Sequence, residues 1–121
     1  MFIHEKDAPR DSAEGRDHIW HSNPGFTPTE DLLFVHVTVP PGGGHPFHNH
    51  PNKEEMIYIL EGEAEQWLEQ EKQTLGPGSS IFIPKSVVHA TFNRSSKELK
   101  FIAVITPCSS EGPVQNMVDH L

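Results

Sequence analysis

The sequence predicts an all-β domain, a sandwich or barrel of short strands, on three observations. Apolar, β-branched runs recur along the chain, as in residues 32–39 (LLFVHVTV), 55–60 (EMIYIL) and Leu99–Thr106 (LKFIAVIT). Turn residues punctuate them at regular spacing, as in Pro40-Pro41-Gly42-Gly43-Gly44, Glu61-Gly62-Glu63 and Gly76-Pro77-Gly78. No stretch of ten residues carries the 3.6-residue apolar period of an amphipathic helix.

Taken in order, residues 1–30 are polar, are broken by Pro9, Pro24 and Pro28, and read as an irregular N-terminal arm with one short strand, Phe2-Ile3-His4. Trp20 is expected to anchor this arm, because so large an indole is rarely left fully wet. Residues 31–106 form the barrel. Its strands are expected at 32–39, 55–60, 63–69, 72–75, Ser80–Ile83, 87–93 and Leu99–Thr106, with Pro84-Lys85-Ser86 turning between two of them. The tail, 107–121, reads as a surface segment or a single helical turn over 114–118.

The 121 residues make one domain, long enough to bury roughly two-thirds of its unfolded surface. The net charge of −8 argues against a nucleic-acid or acidic-membrane partner, since both need a basic face. A single cysteine, Cys108, forbids an intrachain disulfide. No apolar run approaches transmembrane length, and the first residues lack the apolar core of a signal peptide, so a cytoplasmic location is expected.

The period of two along a strand assigns faces. His48 and His50 share one, Glu55 shares one with Ile57 and Ile59, and His89 one with Thr91 and Asn93. Phe101 and Ala103 of the last strand face the same interior. Three imidazoles and one carboxylate make a complete ligand set for a divalent transition metal. They would lie in a mostly apolar pocket that strengthens charge interactions and restricts water. Glu54 is a rival carboxylate, but alternation sends it to the opposite face. Ligation needs neutral imidazoles and an ionised Glu55, so metal affinity is expected to fall below about pH 6.

These residues resemble the cupins. The first cupin motif, G-x5-H-x-H-x(3,4)-E-x6-G, is met by Gly42, His48, His50, Glu55 and Gly62. The second, G-x5-P-x-G-x2-H-x3-N, is met by Gly78, Pro84, His89 and Asn93, with Ser86 where the family usually has glycine. Serine there implies a turn that either needs no positive φ or tolerates its cost. The resemblance implies a double-stranded antiparallel β-helix, or jelly-roll barrel, often dimeric. It also implies one metal ion per chain held by His48, His50, Glu55 and His89, with iron, manganese, nickel, zinc, copper and cobalt all represented in the family.

Two further residues are candidates for catalysis. His36 precedes the first motif and could serve as an acid/base group, and Gln66 could reach the metal as a polar partner. His45 lies in the glycine-rich loop at the barrel mouth and has a similar claim. His4, His18, His21 and His120 read as surface residues, and Phe47, Trp67, Phe82, Phe92 and Phe101 as core. No arginine falls on the inward faces of the pocket strands, which speaks against a strongly anionic ligand.

A four-ligand set on a six-coordinate ion leaves two positions for substrate, dioxygen or water. The expected function is a metal-dependent enzyme acting on a small molecule, for which the family resemblance implies dioxygenase-like chemistry first and isomerase or lyase chemistry next. The alternative is a non-catalytic binding or sensing module. A homodimer is expected, and a storage role is disfavoured by the intact ligand set.

Overall fold

The computed structural model describes residues 1–107 and 116–118. A single 3-10 turn, Glu5–Asp7, precedes eleven strands: β1 Arg10–Ala13, β2 Arg16–Ser22, β3 Leu33–Val39, β4 Gly44–Asn49, β5 Glu54–Glu61, β6 Ala64–Leu68, β7 Glu71–Leu75, β8 Ser80–Ile83, β9 His89–Phe92, β10 Leu99–Thr106 and β11 Asn116–Met117. They form two antiparallel sheets, one ordered β1-β2-β3-β10-β5-β8 and the other β11-β4-β9-β6-β7. No helix of the described residues is long and apolar enough to cross a membrane.

The strongest strand signals in the sequence build the centre of the first sheet. Along β3, Leu33, Val35, Val37 and Val39 point inward, and Phe34, His36 and Thr38 point outward. β10 alternates in phase with it, placing Phe101 opposite Val37 and Ile59, and Ala103 opposite Val35 and Ile57. These residues belong to one buried cluster, and each large apolar side chain buried there stabilises the fold by roughly 1.5–3 kcal/mol.

Two glycines permit close approaches. A Cβ on Gly62, whose φ is +83°, would lie 2.4 Å from the Glu98 carbonyl oxygen. A Cβ on Gly44 would lie 2.7 Å from the Thr91 carbonyl oxygen, so glycine lets β4 press against β9. Ser86 settles the question left by its place in the motif. Its φ is +65°, so the turn does need the left-handed conformation and a serine bears the strain. The turn is tied to the strand opposite: the Ser86 N–H donates to the His50 carbonyl at 3.2 Å, and Asn49 Nδ2 donates to the Ser86 carbonyl at 3.2 Å.

Four features depart from the sequence expectations. Residues 2–4 are not a strand. Instead Arg10–Ala13 and Arg16–Ser22 form a hairpin that extends the first sheet beside β3. Alternating apolar residues could not announce β2, because much of its inner face is polar. Gly44–Asn49 is a strand and not part of the loop before it. In the tail, Asn116–Met117 is a short strand paired with Asn49 and His48 rather than a helical turn, since β4 offers it an open edge. The rest of the expected turn, Cys108 and His120 lie outside the described residues. Phe82, expected in the core, is 49% exposed.

Lys53 was not singled out in the sequence, yet it is 2% exposed. Its Nζ donates to the Pro107 carbonyl at 2.6 Å, fastening the loop after β4 to the end of β10.

Candidate metal centre

The barrel brings His48, His50, Glu55 and His89 together as the buried group of metal-ligating side chains among the described residues. β4 and β9 pair so that His48 stands directly opposite His89. Their ring centroids are 4.1 Å apart. Glu55 reaches in from β5 on the other sheet, with Oε1 lying 3.0 Å from Nε2 of both His50 and His89. Glu54 is exposed, so Glu55 is the carboxylate of the group.

One ligand atom from each residue lies within 4.8 Å of all the others. Metal–ligand bonds of about 2.1 Å put neighbouring octahedral ligands about 3.0 Å apart and opposite ones about 4.2 Å apart. The 3.0 Å contacts match such an edge. The tautomers fit as well. A carbonyl can only accept, so His48 Nδ1 donates to the Pro46 oxygen at 2.6 Å and His89 Nδ1 donates to the Val87 oxygen at 3.0 Å. Both rings therefore present an unprotonated Nε2 to the centre, oriented by a backbone partner as metal-binding imidazoles usually are.

Charge states agree with that role. Burial drives the His48 imidazolium out, with His89 adding repulsion, and its pKa falls to about 3. Burial alone would raise the Glu55 carboxyl, but the contacts from His50 and His89 outweigh it and hold the pKa at about 2. The neutral state of His48 thus persists well below the unperturbed histidine range.

His45 is part of this site. Its ring stacks on His48 with centroids 3.6 Å apart, and burial followed by repulsion from His48 lowers its pKa to about 2. Strict alternation would send residues three apart to opposite faces. Here His45 pairs with Thr91 and His48 with His89, so β4 spends one residue more than β9 between them. That bulge, at Pro46 and Phe47, turns both histidines inward.

The other candidates separate. Gln66 is buried, and its Oε1 accepts from Thr91 Oγ1 at 2.6 Å. Thr91 lines the metal-facing cavity, while Gln66 lines a different recess, so it meets the site only through Thr91. His36 lies on the outer face of β3 and is not among the residues lining the cavity.

The cavity has a volume of about 230 Å³. Leu33, Val35, Ile57, Phe101 and Ala103 form much of its wall, whereas Ile59, expected beside them, is buried elsewhere in the core. The unexpected contribution comes from β2, which places Arg16, His18 and Trp20 on the wall. His18, read as a surface residue, and Arg16, where no inward arginine was expected, correct the sequence reading. Asp11 Oδ1 accepts from His18 Nδ1 at 2.8 Å and from Trp20 Nε1 at 2.9 Å. Partial burial pushes the Asp11 carboxyl up, but the bonds from Trp20 and His18 outweigh it and hold the pKa below its ordinary value.

Comparison with known proteins agrees with this geometry. Residues 35–105 match the Cupin domain family. The chain is 46% identical over 64 residues to dimethylsulfoniopropionate lyase DddQ of Ruegeria pomeroyi, covering 52% of this chain and 31% of that protein. It spans less than two-thirds of the length of the relatives it matches by sequence. The fold superposes on the polyketide cyclase RemF of Streptomyces resistomycificus with a TM-score of 0.80 and 25% identity, covering 98% of this chain and 85% of that one. It superposes on the oxalate decarboxylase of Lactobacillus farciminis with a TM-score of 0.82 and 20% identity, covering 96% of this chain and 35% of that one. With the family match spanning more than half of its length, the chain belongs to the cupin family.

Proposed function

We propose that this protein is a metal-dependent enzyme acting on a small molecule by proton transfer, in the manner of a lyase or isomerase. The observation that carries the reading is His18 in the wall of the cavity onto which the four ligands open, with its Nδ1 held by an exposed Asp11 outside that wall. A divalent transition metal held by His48, His50, Glu55 and His89 would supply Lewis acidity to a bound oxygen or carbonyl. The chain supplies the rest. Asp11 holds His18 Nδ1 as a donor, leaving Nε2 as the nitrogen available to take or return a proton. The apolar wall excludes water, and His45, kept neutral, covers one face of His48. The names of the similar proteins, a lyase and a decarboxylase, support this class.

A dioxygenase is the second reading, favoured by the apolar wall, which suits chemistry that must exclude water. It would call for a redox-active ion such as iron or copper on those four ligands. The homodimer expected from the family likeness would form through the outer face of the first sheet. There Met56, Tyr58 and Phe82 are 41%, 48% and 49% exposed, and Met56 and Phe82 are direct neighbours across β5 and β8.

The test is incubation of the metal-loaded protein with dimethylsulfoniopropionate, oxalate and a panel of small hydroxy and keto acids, followed by NMR with and without oxygen. The proposal expects metal-dependent consumption that proceeds anaerobically and falls in His18→Gln with metal content unchanged. Turnover only in the presence of oxygen would favour the dioxygenase. Melting shifts without any product would favour a binding module.

A further inference from the structure

We infer that the ligand of this cavity is a small organic acid whose carboxylate is received by Arg16, at the end of the cavity contributed by β2. The inference rests on reading the cavity as the substrate site. Arg16 lines the same cavity as the metal-ligating group. It also lies close enough to His45, the ring stacked on His48, to repel a proton there.

The guanidinium is underused by the protein itself. Arg16 Nε is buried and has no hydrogen-bond partner among the described residues. Among the described residues its one hydrogen bond is from Nη1 to the Glu14 carbonyl, long at 3.4 Å. Asp11 is the acidic group whose field reaches it, but Asp11 Oδ1 is already committed to His18 and Trp20. A half-buried guanidinium with no carboxylate bonded to it among the described residues is a cation suited to a carboxylate ligand.

The rest of the cavity fixes the ligand's shape. Besides Arg16 and the metal-ligating group, the cavity is lined by apolar side chains such as Val35 and Phe101. At about 230 Å³ the cavity is smaller than the roughly 300–1,000 Å³ of sites for drug-sized ligands. The fitting ligand has a carboxylate at one end, a short carbon chain, and an oxygen or other donor for the metal at the other end.

The test is calorimetric titration of the full chain, metal-loaded and metal-free, with acetate, propionate, succinate and glutarate and with the corresponding amides. At least one acid should bind about tenfold or more tightly than its amide. Arg16→Gln should erase that preference with metal content unchanged, and Arg16→Lys should keep part of it. A preference retained in Arg16→Gln would overturn the inference, because the anion would then sit on the metal or elsewhere. So would the lack of any acid-over-amide preference in the native protein. Metal content is read separately. A chain that takes up no metal would defeat the metal-centre reading, while the acid–amide contrast on the metal-free protein would still report on Arg16.

A second measurement avoids substitution altogether. Phenylglyoxal adducts at Arg10, Arg16 and Arg94 are mapped by mass spectrometry with and without the preferred acid. Protection of Arg16 by the acid and not by its amide supports the inference. Equal modification in all three conditions overturns it.

Discussion

Acidifying the metal-free protein should cost it stability through the same two stacked imidazoles that border the metal-ligating group. His45 is held at about 2 and His48 at about 3, against an ordinary value of 6.5. Below about pH 6.5 the unfolded chain takes up protons that the folded protein refuses, so stability falls as pH drops. Each such group contributes about 1.4 kcal/mol per pH unit once the difference is complete. Between pH 6 and pH 4 each should remove about 2.5 kcal/mol, and the two together about 5 kcal/mol. Glu55, at about 2 against an ordinary 4.5, acts in the same direction, chiefly below pH 4.5. The loss is comparable to the whole stability of a marginal domain, about 5–15 kcal/mol. His45→Phe keeps a ring on His48 and removes one titrating group. Urea melts in chelator at a series of pH values between 7 and 4 should show the variant losing about half as much as the native protein. Parallel curves for the two proteins would refute the reasoning, because His45 would then not be held neutral by the fold.

Further predictions concern the ligand set, the strained turn and the exposed sheet face. Glu55→Gln should abolish metal retention while Glu54→Gln preserves it, read by elemental analysis of each purified variant. Ser86→Gly should relieve the left-handed strain and raise stability by about 0.5–1 kcal/mol, seen as a thermal midpoint a few degrees higher. A midpoint that falls would mean the serine side chain does more than bear strain. Met56→Glu with Tyr58→Glu should leave the fold intact and convert a dimer to a monomer in light scattering, because both side chains project from the outer face. An unchanged mass would place the interface elsewhere.

The parts of this protein legible in its sequence are those where burial and local pattern coincide. β3, β5 and β10 alternate cleanly because one face meets the core and the other does not, so their positions and inward residues follow from the period of two. Glu55 could be separated from Glu54 on the same ground. Glu55 sits on such a strand, whereas His48, His50 and His89 were readable from their motif spacing and not from alternation. The illegible parts are those where the inner face is itself polar. β2 carries Arg16 and His18 into the cavity, so the alternation that marks a strand is missing where the strand contributes chemistry. His45, expected in the loop at the barrel mouth, lines the cavity from β4, and its inward orientation was illegible for a different reason. The bulge at Pro46 adds one residue to β4, and a bulge changes which face a side chain takes without leaving a mark in the hydrophobic pattern. The pairing of Asp11 with His18 depends on a hairpin whose two strands were both read as irregular chain.

The central claim is that His48, His50, Glu55 and His89 hold a transition metal. It is tested most directly by elemental analysis of protein purified without added metal or chelator, beside His48→Ala. The account predicts near-stoichiometric iron, manganese, nickel, copper, cobalt or zinc in the native protein and almost none in the variant. A native protein without metal that cannot be loaded, or equal metal in both proteins, would contradict it.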